Sequence, residues 1–401
     1  MSLRKDLTQP TATPEEEVME QLSVLTFSES KKEEEISPDQ FHAVPKQVKQ
    51  AELHPNGKLL SDDEIEQLKL RYQKSGDYLH RVKLGVSNAN RVQCNFPIAF
   101  TENGIIASIK KPTLFGKGKF GEVKIQQNQL TGHWGATKVI KTEDLSRSSE
   151  KQCLDSAIME LEISLAMGQA QSSTLIQRKS KTGHLKCQFF MEAAEGEELY
   201  DLLEKDMLPK DSKKLLIIAL NFLQQVMLLH KEYVHCDIKD KNIFVDILTG
   251  KVTLLDFGFG LKKDKNGNAK GYYHTGTPST MAPEIINNET NIYSAQTDTY
   301  SVSVVLFALL FGRRQRFARE QRYWEYHKDC HSNLDNNVIE INNKHNGKTE
   351  YTLSKEIRDI LQRGCSEDPK HRATLTEIAR TLQKHLSLLE APSTHLAFSK
   401  K

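Results

Sequence analysis

The pattern of apolar and polar positions changes near residue 60 and again near residue 105. Before the first change, apolar periodicity is weak and prolines and acidic runs are frequent. We therefore predict that residues 1–58 form a largely disordered acidic arm with one short helix over about residues 16–25. From about residue 105 the alternation is typical of strands, and after residue 210 the spacing is mostly that of helices. Strands followed by helices predict an α+β fold.

A helix is predicted to begin at Ser61. Glu64 follows Ser61 at the spacing of a capping box, in which the two side chains cap backbone N–H groups of the first turn. Ile65, Leu68 and Tyr72 then share one face, which is the pattern of a helix that packs on another element. We expect this helix to dock on the folded domain that follows it.

Composition and charge disfavour several classes of protein. Of the 401 residues, 38% are hydrophobic and 27% are charged, and 55 Lys and Arg are balanced by 53 Asp and Glu, so bulk charge does not favour nucleic-acid binding. The apolar stretch Val302–Phe311 is shorter than the roughly 20 residues of a membrane span, and the N-terminus lacks the apolar run of a secretory signal. Six scattered cysteines without a C-x-x-C pair suit a reducing compartment. We therefore expect a cytoplasmic protein with no integral membrane segment and no nucleic-acid partner.

The first candidate for chemistry is a glycine-rich segment. Gly116, Gly118 and Gly121, with Lys117 among them, allow backbone N–H groups to approach phosphate oxygens. Two folds use this spacing: in one the third glycine opens a helix, and in the other it lies in a β-hairpin. The alternation of the residues that follow favours the hairpin.

Lys138 lies on the strand predicted to pair with this hairpin, where its ammonium group can reach α- and β-phosphates. Such a lysine needs a carboxylate partner, and the predicted helix over residues 154–167 offers two. Glu160 continues the apolar stripe of the helix at i+3 and i+7, whereas the same spacing from Glu162 reaches a polar residue. Periodicity favours Glu160, and Glu162 remains the alternative.

The strongest local pattern is the run His-Cys-Asp-Ile-Lys-Asp-Lys-Asn at residues 235–242. Asp237 is suited to accept a hydroxyl proton, Lys239 to neutralise a transferring phosphoryl group, and Asn242 to ligate Mg²⁺. Further on, an Asp-Phe-Gly run that begins at Asp256 follows an apolar strand, where a carboxylate can hold Mg²⁺ between β- and γ-phosphates. Either motif alone fits a polar turn, but both in this order predict phosphoryl transfer.

With these motifs, residues from about 105 to 388 resemble a eukaryotic-like serine/threonine protein kinase. Later runs are similar to this family as well: Gly-Thr-Pro at 276–278 and Ala-Pro-Glu at 282–284 resemble the end of an activation segment, and Arg372 resembles the residue that pairs with the glutamate there. The resemblance implies a two-lobed protein kinase fold with a β-rich N-lobe and an α-helical C-lobe. It also implies transfer of the γ-phosphoryl group of ATP, with Mg²⁺, to Ser or Thr hydroxyls of protein substrates.

The resemblance adds roles that the residue pattern alone does not assign. It implies that Val123 and Ala136 contact the nucleotide, that backbone groups of Glu192 and Ala194 bind adenine, and that Glu198 contacts the ribose. The resulting division of the chain is an acidic arm (1–58), a helical extension (59–104), an N-lobe (105–191), a hinge (192–198), a C-lobe (199–388) and a polar tail (389–401).

The chain departs from the family pattern at Cys236, where the family usually has an arginine that clasps a phosphate on the activation segment. We therefore predict that phosphorylation of Thr275 or Thr277 is not required for activity. Thr277 matches the position whose hydroxyl braces the catalytic aspartate, and we expect Cys236 to be structural rather than nucleophilic. The alternative function is a pseudokinase, a scaffold or binding module that retains ATP binding. A small-molecule phosphotransferase is disfavoured by the run from Gly276 to Glu284.

The termini carry a further resemblance. A short disordered N-terminal arm and a polar C-terminus resemble those of effector kinases that intracellular bacteria inject into host cells. This resemblance implies secretion into the host cytosol and a host protein partner for the N-terminal extension.

Overall fold

The computed structural model of the chain describes residues 13–22, 53–75, 98–109, 114–118, 121–141, 150–179, 183–272, 275–311 and 355–390. Contacts divide the chain into two compact units. The first comprises residues 30–194, and the second comprises residues 195–401 together with residues 1–29. The division falls within the segment predicted as a hinge.

The described helices are, in chain order, α1 (Pro14–Leu22), α2 (Asp62–Ser75), α3 (Glu150–Ala166), α4 (Leu199–Glu204), α5 (Ser212–Leu229), α6 (Pro283–Ile286), α7 (Ala295–Phe311), α8 (Lys355–Gly364) and α9 (Leu375–Glu390). The described strands are β1 (Ile98–Thr101), β2 (Gly104–Ser108), β3 (Leu114–Gly118), β4 (Gly121–Asn128), β5 (Trp134–Lys141), β6 (Ile176–Lys179), β7 (Leu185–Glu192), β8 (Glu197–Glu198), β9 (Tyr233–Val234), β10 (Ile243–Val245), β11 (Val252–Leu254), β12 (Leu261–Lys262), β13 (Asn268–Lys270) and β14 (Ile292–Ser294). An antiparallel sheet in the first unit and mainly helices in the second confirm the predicted α+β fold.

The sheet of the first unit has the strand order β1-β2-β4-β5-β7-β6, and β3 pairs with β4 as a hairpin. The sheet begins at Ile98, although residues 59–104 were predicted to form a helical extension. That prediction is wrong for β1, which pairs with β2 and is buried on both faces. A strand buried on both faces lacks the apolar–polar alternation that marks a half-buried strand, so its sequence carries no clear strand period.

The capping box predicted at the start of α2 is present. The backbone N–H of Ser61 donates to Glu64 Oε2 at 2.9 Å, and the backbone N–H of Glu64 donates to Ser61 Oγ at 3.3 Å. Ile65 and Leu68 are buried in one apolar cluster with Trp134 of β5, so α2 docks on the sheet as expected. The side chain of Tyr72 lies outside the described residues.

Two buried glutamines of β4 and the following turn fix the segment that leads into α2. Gln127 Oε1 accepts the backbone N–H of Leu59 at 3.0 Å, and Gln129 Oε1 accepts the backbone N–H of Leu60 at 3.0 Å. Leu59 and Leu60 are themselves buried in the cluster that contains Trp134. The start of the extension is therefore part of the first unit's core, and its polar backbone groups are satisfied by side chains of the sheet.

The arm predicted as largely disordered contains the helix α1, which begins two residues before the predicted short helix. Thr13 and Glu16 form a reciprocal cap at its start. Val18 and Leu22 are buried, and α1 contacts α5 and α9 of the second unit. The short helix predicted within the arm is therefore present, and its two apolar residues, which lie four apart, form a single contact face. Most of residues 1–58 lies outside the described residues.

The second unit is built around α5. Asp211 caps the helix by accepting the backbone N–H groups of Lys213 at 2.7 Å and Lys214 at 3.3 Å. Within the described part of the chain, α5 is the one helix long and apolar enough to cross a membrane, and most of its residues are buried inside the protein. Core helices of folded domains meet the same criterion, and the sequence prediction had considered only the shorter stretch Val302–Phe311.

A buried ion pair joins distant segments of the second unit. Arg372 donates from Nη1 to Glu284 Oε1 at 2.8 Å and from Nη2 to Glu284 Oε2 at 2.6 Å. Arg372 also donates to the backbone carbonyls of Ser366, Glu367 and Gln296. The resemblance implied this pairing, and a bidentate pair with these additional hydrogen bonds satisfies the guanidinium group away from solvent, so its role is structural.

Candidate functional site

The glycine-rich segment forms the predicted hairpin. β3 and β4 are antiparallel, with Gly118 opposite Gly121 and Gly116 opposite Val123. Lys119, Phe120 and the side chain of Lys117 lie outside the described residues. The third glycine therefore continues into a strand rather than a helix, which distinguishes this segment from the other fold that uses the same spacing.

The structure places Lys138 beside Glu160. Lys138 lies on β5 opposite Val123 of the hairpin, and its Nζ forms an ion pair with Glu160 Oε1 on α3. Both side chains are buried, so each charge offsets the cost of burying the other. Between the two candidates, the structure selects Glu160; Glu162 is half-buried on the same helix. Apolar periodicity favoured the correct glutamate because the face of α3 that packs on β7 also carries the Glu160 carboxylate.

Apolar residues surround this ion pair. Val123 and Ala136 pack in one cluster with Met191 of β7, and Ala136 lies opposite Met191 in the sheet. Next to Ala136, Gly135 allows a close approach of β5 and β7, because a Cβ atom at this position would lie 2.5 Å from the carbonyl oxygen of Met191. This close approach explains why glycine occupies position 135.

Along the chain, the residues predicted to contact adenine and ribose fall on both sides of the boundary between residues 194 and 195. Glu192 ends β7 in the first unit, where its carboxylate contacts His133, and Ala194 follows it. Glu198 lies on β8 in the second unit, opposite Phe244 of β10. Burial raises the pKa of Glu198, and the neighbouring Asp201 carboxylate raises it further.

Asp237 is held by hydrogen bonds from three residues of the second unit. Thr277 Oγ1 donates to Asp237 Oδ1 at 2.6 Å, and Lys239 Nζ donates to Asp237 Oδ2 at 2.6 Å. Lys239 Nζ also donates to Thr277 Oγ1 at 2.9 Å, which closes a triangle of polar side chains. Asn242 Nδ2 donates to the backbone carbonyl of Asp237 at 2.8 Å. The arrangement fixes both oxygens of a buried carboxylate and brings together three residues that the sequence placed in one site, with Thr277 from a later segment.

His235 connects the segment of Asp237 to the strand that leads to Asp256. Its Nδ1 accepts the backbone N–H of Asp237 at 3.3 Å, and its Nε2 donates to the carbonyl oxygen of Leu255 at 3.1 Å. The ring also contacts the ring of Phe257, with centroids 5.4 Å apart. His235 therefore positions the two carboxylates that the sequence assigned to proton transfer and to metal binding.

Asp256 and Cys236 have backbone conformations that non-glycine residues rarely adopt. Their φ angles are +63° and +64°, in the left-handed region. Such conformations persist where the surrounding contacts determine them, and they are common at functional sites. Burial raises the pKa of the Cys236 thiol, and the Asp298 and Asp237 carboxylates raise it further, so the thiol is neutral. A buried neutral thiol is a poor nucleophile, which agrees with the structural role expected for Cys236.

Asp298 of α7 is a positioning residue that the sequence analysis did not include in the site. Asp298 Oδ2 accepts the backbone N–H of His235 at 2.6 Å, and Oδ1 accepts the backbone N–H of Cys236 at 3.0 Å. His230 Nε2 also contacts Oδ2 at 2.9 Å. Burial alone would raise the pKa of Asp298, but the hydrogen bonds from His230 and His235 hold it below its ordinary value. Asp298 is the one charged residue of a helix that runs into a long apolar stretch, and this was the signal that could have identified it.

Comparisons with known proteins agree with this geometry. The family model described as Protein kinase domain matches residues 109–383. The chain is 29% identical over 214 residues to Serine/threonine-protein kinase Genghis Khan of Drosophila melanogaster, covering 51% of this chain and 12% of that protein. It is 28% identical over 269 residues to Myosin light chain kinase 2, skeletal/cardiac muscle, of Rattus norvegicus, covering 66% of this chain and 40% of that protein. It is 27% identical over 277 residues to Serine/threonine-protein kinase 33 of Mus musculus, covering 66% and 52%. The chain thus spans between 12% and 52% of the length of these relatives.

Proposed function

Because the chain belongs to the protein kinase family, we propose that it is a serine/threonine kinase that transfers the γ-phosphoryl group of ATP to Ser or Thr hydroxyls of protein substrates. The observation that carries this proposal is the triangle of Asp237, Lys239 and Thr277. A buried carboxylate held by a lysine two residues later is suited to receive a hydroxyl proton beside a neutralising cation. The names of the three relatives describe serine/threonine kinases and a myosin light chain kinase, which supports a protein substrate.

The residues present fit a magnesium ion. Asp256 offers a carboxylate, and Asn242 offers an amide oxygen because its Nδ2 is the atom that donates to Asp237. Carboxylate and amide oxygens are hard ligands of the kind that Mg²⁺ prefers. In this proposal Asp256 and Asn242 hold the ion, which when bound neutralises charge on the β- and γ-phosphates.

The remaining roles follow from the chain's own side chains. Lys138, oriented by Glu160, binds the α- and β-phosphates, and the backbone N–H groups of the β3–β4 hairpin approach the phosphate oxygens. Asp237 accepts the proton of the substrate hydroxyl as the hydroxyl oxygen bonds to the γ-phosphorus and the bond to ADP breaks. Lys239 neutralises the transferring group. Catalysis in this scheme is mainly positioning and electrostatic stabilisation.

A scaffold that only binds ATP is the less favoured function, because the ionisable residues assigned to transfer are all present and four of them form two ion pairs, Lys138 with Glu160 and Lys239 with Asp237. We also propose a cytoplasmic location, on the basis of cysteine usage. The relatives named above are animal proteins and do not support a bacterial effector. The prediction of an effector with a host partner rests on the composition of the termini.

The test is phosphoryl transfer from γ-labelled ATP, with Mg²⁺, to a generic basic protein, followed by phosphoamino-acid analysis. We expect label on Ser or Thr that disappears with an Asp256→Ala variant and when Mg²⁺ is chelated. Glu162 lies outside the proposed machinery, so the Glu162→Gln variant should transfer as much label as the wild-type protein in the same assay. Tight binding of Mg-ATP without any transfer would contradict the proposed activity and favour the scaffold.

A further inference from the structure

Tyr293 on β14 bridges two residues that precede Thr277. Its side chain is fully buried, and the residue lies opposite Ala269 of β13. The hydroxyl donates a hydrogen bond to the carbonyl oxygen of Tyr272 at 2.8 Å and accepts the backbone N–H of Thr275 at 3.1 Å. Both hydrogen-bonding capacities of one buried hydroxyl are therefore used on the backbone of the same segment.

The ring of Tyr293 is fixed by its surroundings. Gly271 passes so close to it that a Cβ atom there would lie 2.8 Å from Tyr293 Cε2. The backbone of Gly271 also exchanges hydrogen bonds with Asn291, which continues the pairing of β13 with β14. The hydroxyl therefore acts from a ring that has little freedom to move, and a hydrogen bond from a preorganised group loses little entropy on forming.

Thr275 is two residues before Thr277, and the chain between them is in close contact with the segment of Asp237. Gly276 has a φ of +119°, and a Cβ atom at this position would lie 2.5 Å from the carbonyl oxygen of Cys236. Thr277 then donates to Asp237 Oδ1. A continuous run of contacts thus leads from the Tyr293 hydroxyl, through residues 275–277, to the carboxylate proposed as the base.

The hydrogen bonds that hold Thr275 join neutral groups. Thr275 is 9% exposed, and its Oγ1 donates to the carbonyl oxygen of Tyr272 at 2.9 Å. Burial raises the pKa of the Tyr293 hydroxyl, so this group stays protonated and able to donate. Cys236, whose backbone carbonyl lies close to Gly276, also has a neutral thiol. A phosphate group on the buried Thr275 hydroxyl would have to displace an existing hydrogen bond, whereas the present contacts already order the segment.

We propose that Tyr293 is a positioning residue whose hydroxyl holds residues 275–277 against Asp237, so that the segment is ordered without a phosphate group. The inference rests on the proposed kinase activity. It adds that Tyr293 acts through Thr275 and Thr277 and does not itself touch the reacting atoms.

The test is the Tyr293→Phe variant, which removes the hydroxyl and keeps the ring. Three quantities are measured on the full chain: kcat and KM for a generic basic protein, the dissociation constant for Mg-ATP, and hydrogen exchange of the peptide that contains the Thr275 amide. We expect kcat to fall about 10-fold and the Thr275 amide to exchange about 10-fold faster, because the backbone N–H of Thr275 loses its acceptor and the carbonyl oxygen of Tyr272 keeps only the hydrogen bond from Thr275 Oγ1. The affinity for Mg-ATP should not change.

Tyr233→Phe is the matched control, since it removes the hydroxyl of another buried tyrosine of the second unit, on β9. This control should leave kcat and the exchange of the Thr275 amide as in the wild-type protein. A second arm treats the wild-type protein with a protein phosphatase, which should not change kcat.

Several results would overturn the inference. One is a Tyr293→Phe variant with wild-type kcat and wild-type exchange at Thr275. Another is faster exchange throughout the second unit together with weaker Mg-ATP binding, because this would indicate a general structural role. A 10-fold loss of kcat after phosphatase treatment would show that a phosphate is required. If the wild-type protein transfers no phosphate, the proposed function fails instead, and the exchange of the Thr275 amide still decides whether Tyr293 orders the segment.

Discussion

Thr277 Oγ1 donates a hydrogen bond to Asp237 Oδ1 at 2.6 Å while accepting one from Lys239 Nζ at 2.9 Å. The hydroxyl therefore fixes one oxygen of the carboxylate and also orients the lysine that holds the other. The two residues are 40 positions apart in the chain. Asp237 precedes the short 3-10 turn Asp240–Asn242, and Thr277 precedes α6. Thr277 is therefore a positioning residue: it orients Asp237, and the Asp237 carboxylate is the group proposed to accept the proton.

Replacing Thr277 by valine keeps the volume and removes the hydrogen bonds. We expect kcat to fall about 10- to 100-fold, because a hydrogen bond to a charged group contributes about 1.5–3 kcal/mol. Thr277→Ser retains the hydroxyl and should recover activity to within a few-fold of wild type. Steady-state kinetics with the basic protein substrate provide the measurement, and a Thr277→Val variant with full activity would show that the contact is not used.

Thr275→Ala tests the prediction that a phosphate on this residue is unnecessary. The substitution removes the hydroxyl that donates to Tyr272 and leaves the backbone N–H that donates to Tyr293. We expect kcat within about 3-fold of wild type, since only one neutral hydrogen bond is lost. A variant with less than a hundredth of the wild-type activity, despite an unchanged melting temperature, would argue for activation by phosphorylation at Thr275.

The two glutamates of α3 allow a paired test of the ion pair with Lys138. Glu160→Gln leaves a buried lysine without its counter-ion, and we expect kcat/KM for ATP to fall at least 100-fold, corresponding to about 3 kcal/mol or more. Glu162→Gln changes a half-buried residue of the same helix and should stay within about 2-fold of wild type. Equal losses in the two variants would contradict the selective pairing of Lys138 with Glu160.

Short motifs with a fixed chemical purpose were the most predictable part of this protein. The runs around Asp237 and Asp256 and the glycine hairpin combine residue types and spacings that can be detected in a single sequence, and helical periodicity favoured Glu160 over Glu162. These signals are local, so one sequence is sufficient to detect them.

Contacts between distant segments were not predictable in the same way. β1 lacks alternation because it is buried on both faces, and α1 is a short helix whose stability comes from packing on α5 and α9. Asp298 and Tyr293 act through backbone groups of other segments, and their partners become visible only once the chain is folded. Sequence patterns report a residue's local environment and do not specify which distant backbone group it will reach.

The packing of α2 on the sheet can be measured with two leucines of the same helix. Leu68 is fully buried in the cluster with Trp134, whereas Leu70 is 53% exposed. We expect Leu68→Ala to lower the free energy of unfolding of the first unit by about 2–5 kcal/mol, through lost burial and the cavity left behind. Leu70→Ala should change it by less than about 0.5 kcal/mol. Denaturant titration followed by tryptophan fluorescence in a Trp324→Phe background, where Trp134 is the one remaining tryptophan, distinguishes the two, and equal stability would show that α2 is not part of the core.

Asp298 predicts a pH dependence of the stability of the second unit. Because the pKa of Asp298 is lower in the folded protein than its ordinary value, the ionised carboxylate stabilises the fold above the pKa of about 4 that an unfolded aspartate has. This stabilisation is lost as the pH falls below about 4 and through the folded pKa. At pH 7 we expect Asp298→Asn to lower the free energy of unfolding by about 3 kcal/mol, since its amide cannot satisfy the backbone N–H groups of His235 and Cys236 as a carboxylate does.

The measurement is denaturant unfolding of wild type and Asp298→Asn at a series of pH values from 7 down to 3. The difference in the free energy of unfolding should be largest at pH 7 and should shrink below pH of about 4, where the wild-type carboxylate itself becomes protonated. Asp201→Asn is a suitable control, because its carboxylate forms only a half-exposed pair with Lys205 and should contribute less than about 1 kcal/mol at any pH. A difference between wild type and Asp298→Asn that stays constant from pH 7 to pH 3 would contradict an ionised Asp298 as the source of this stability.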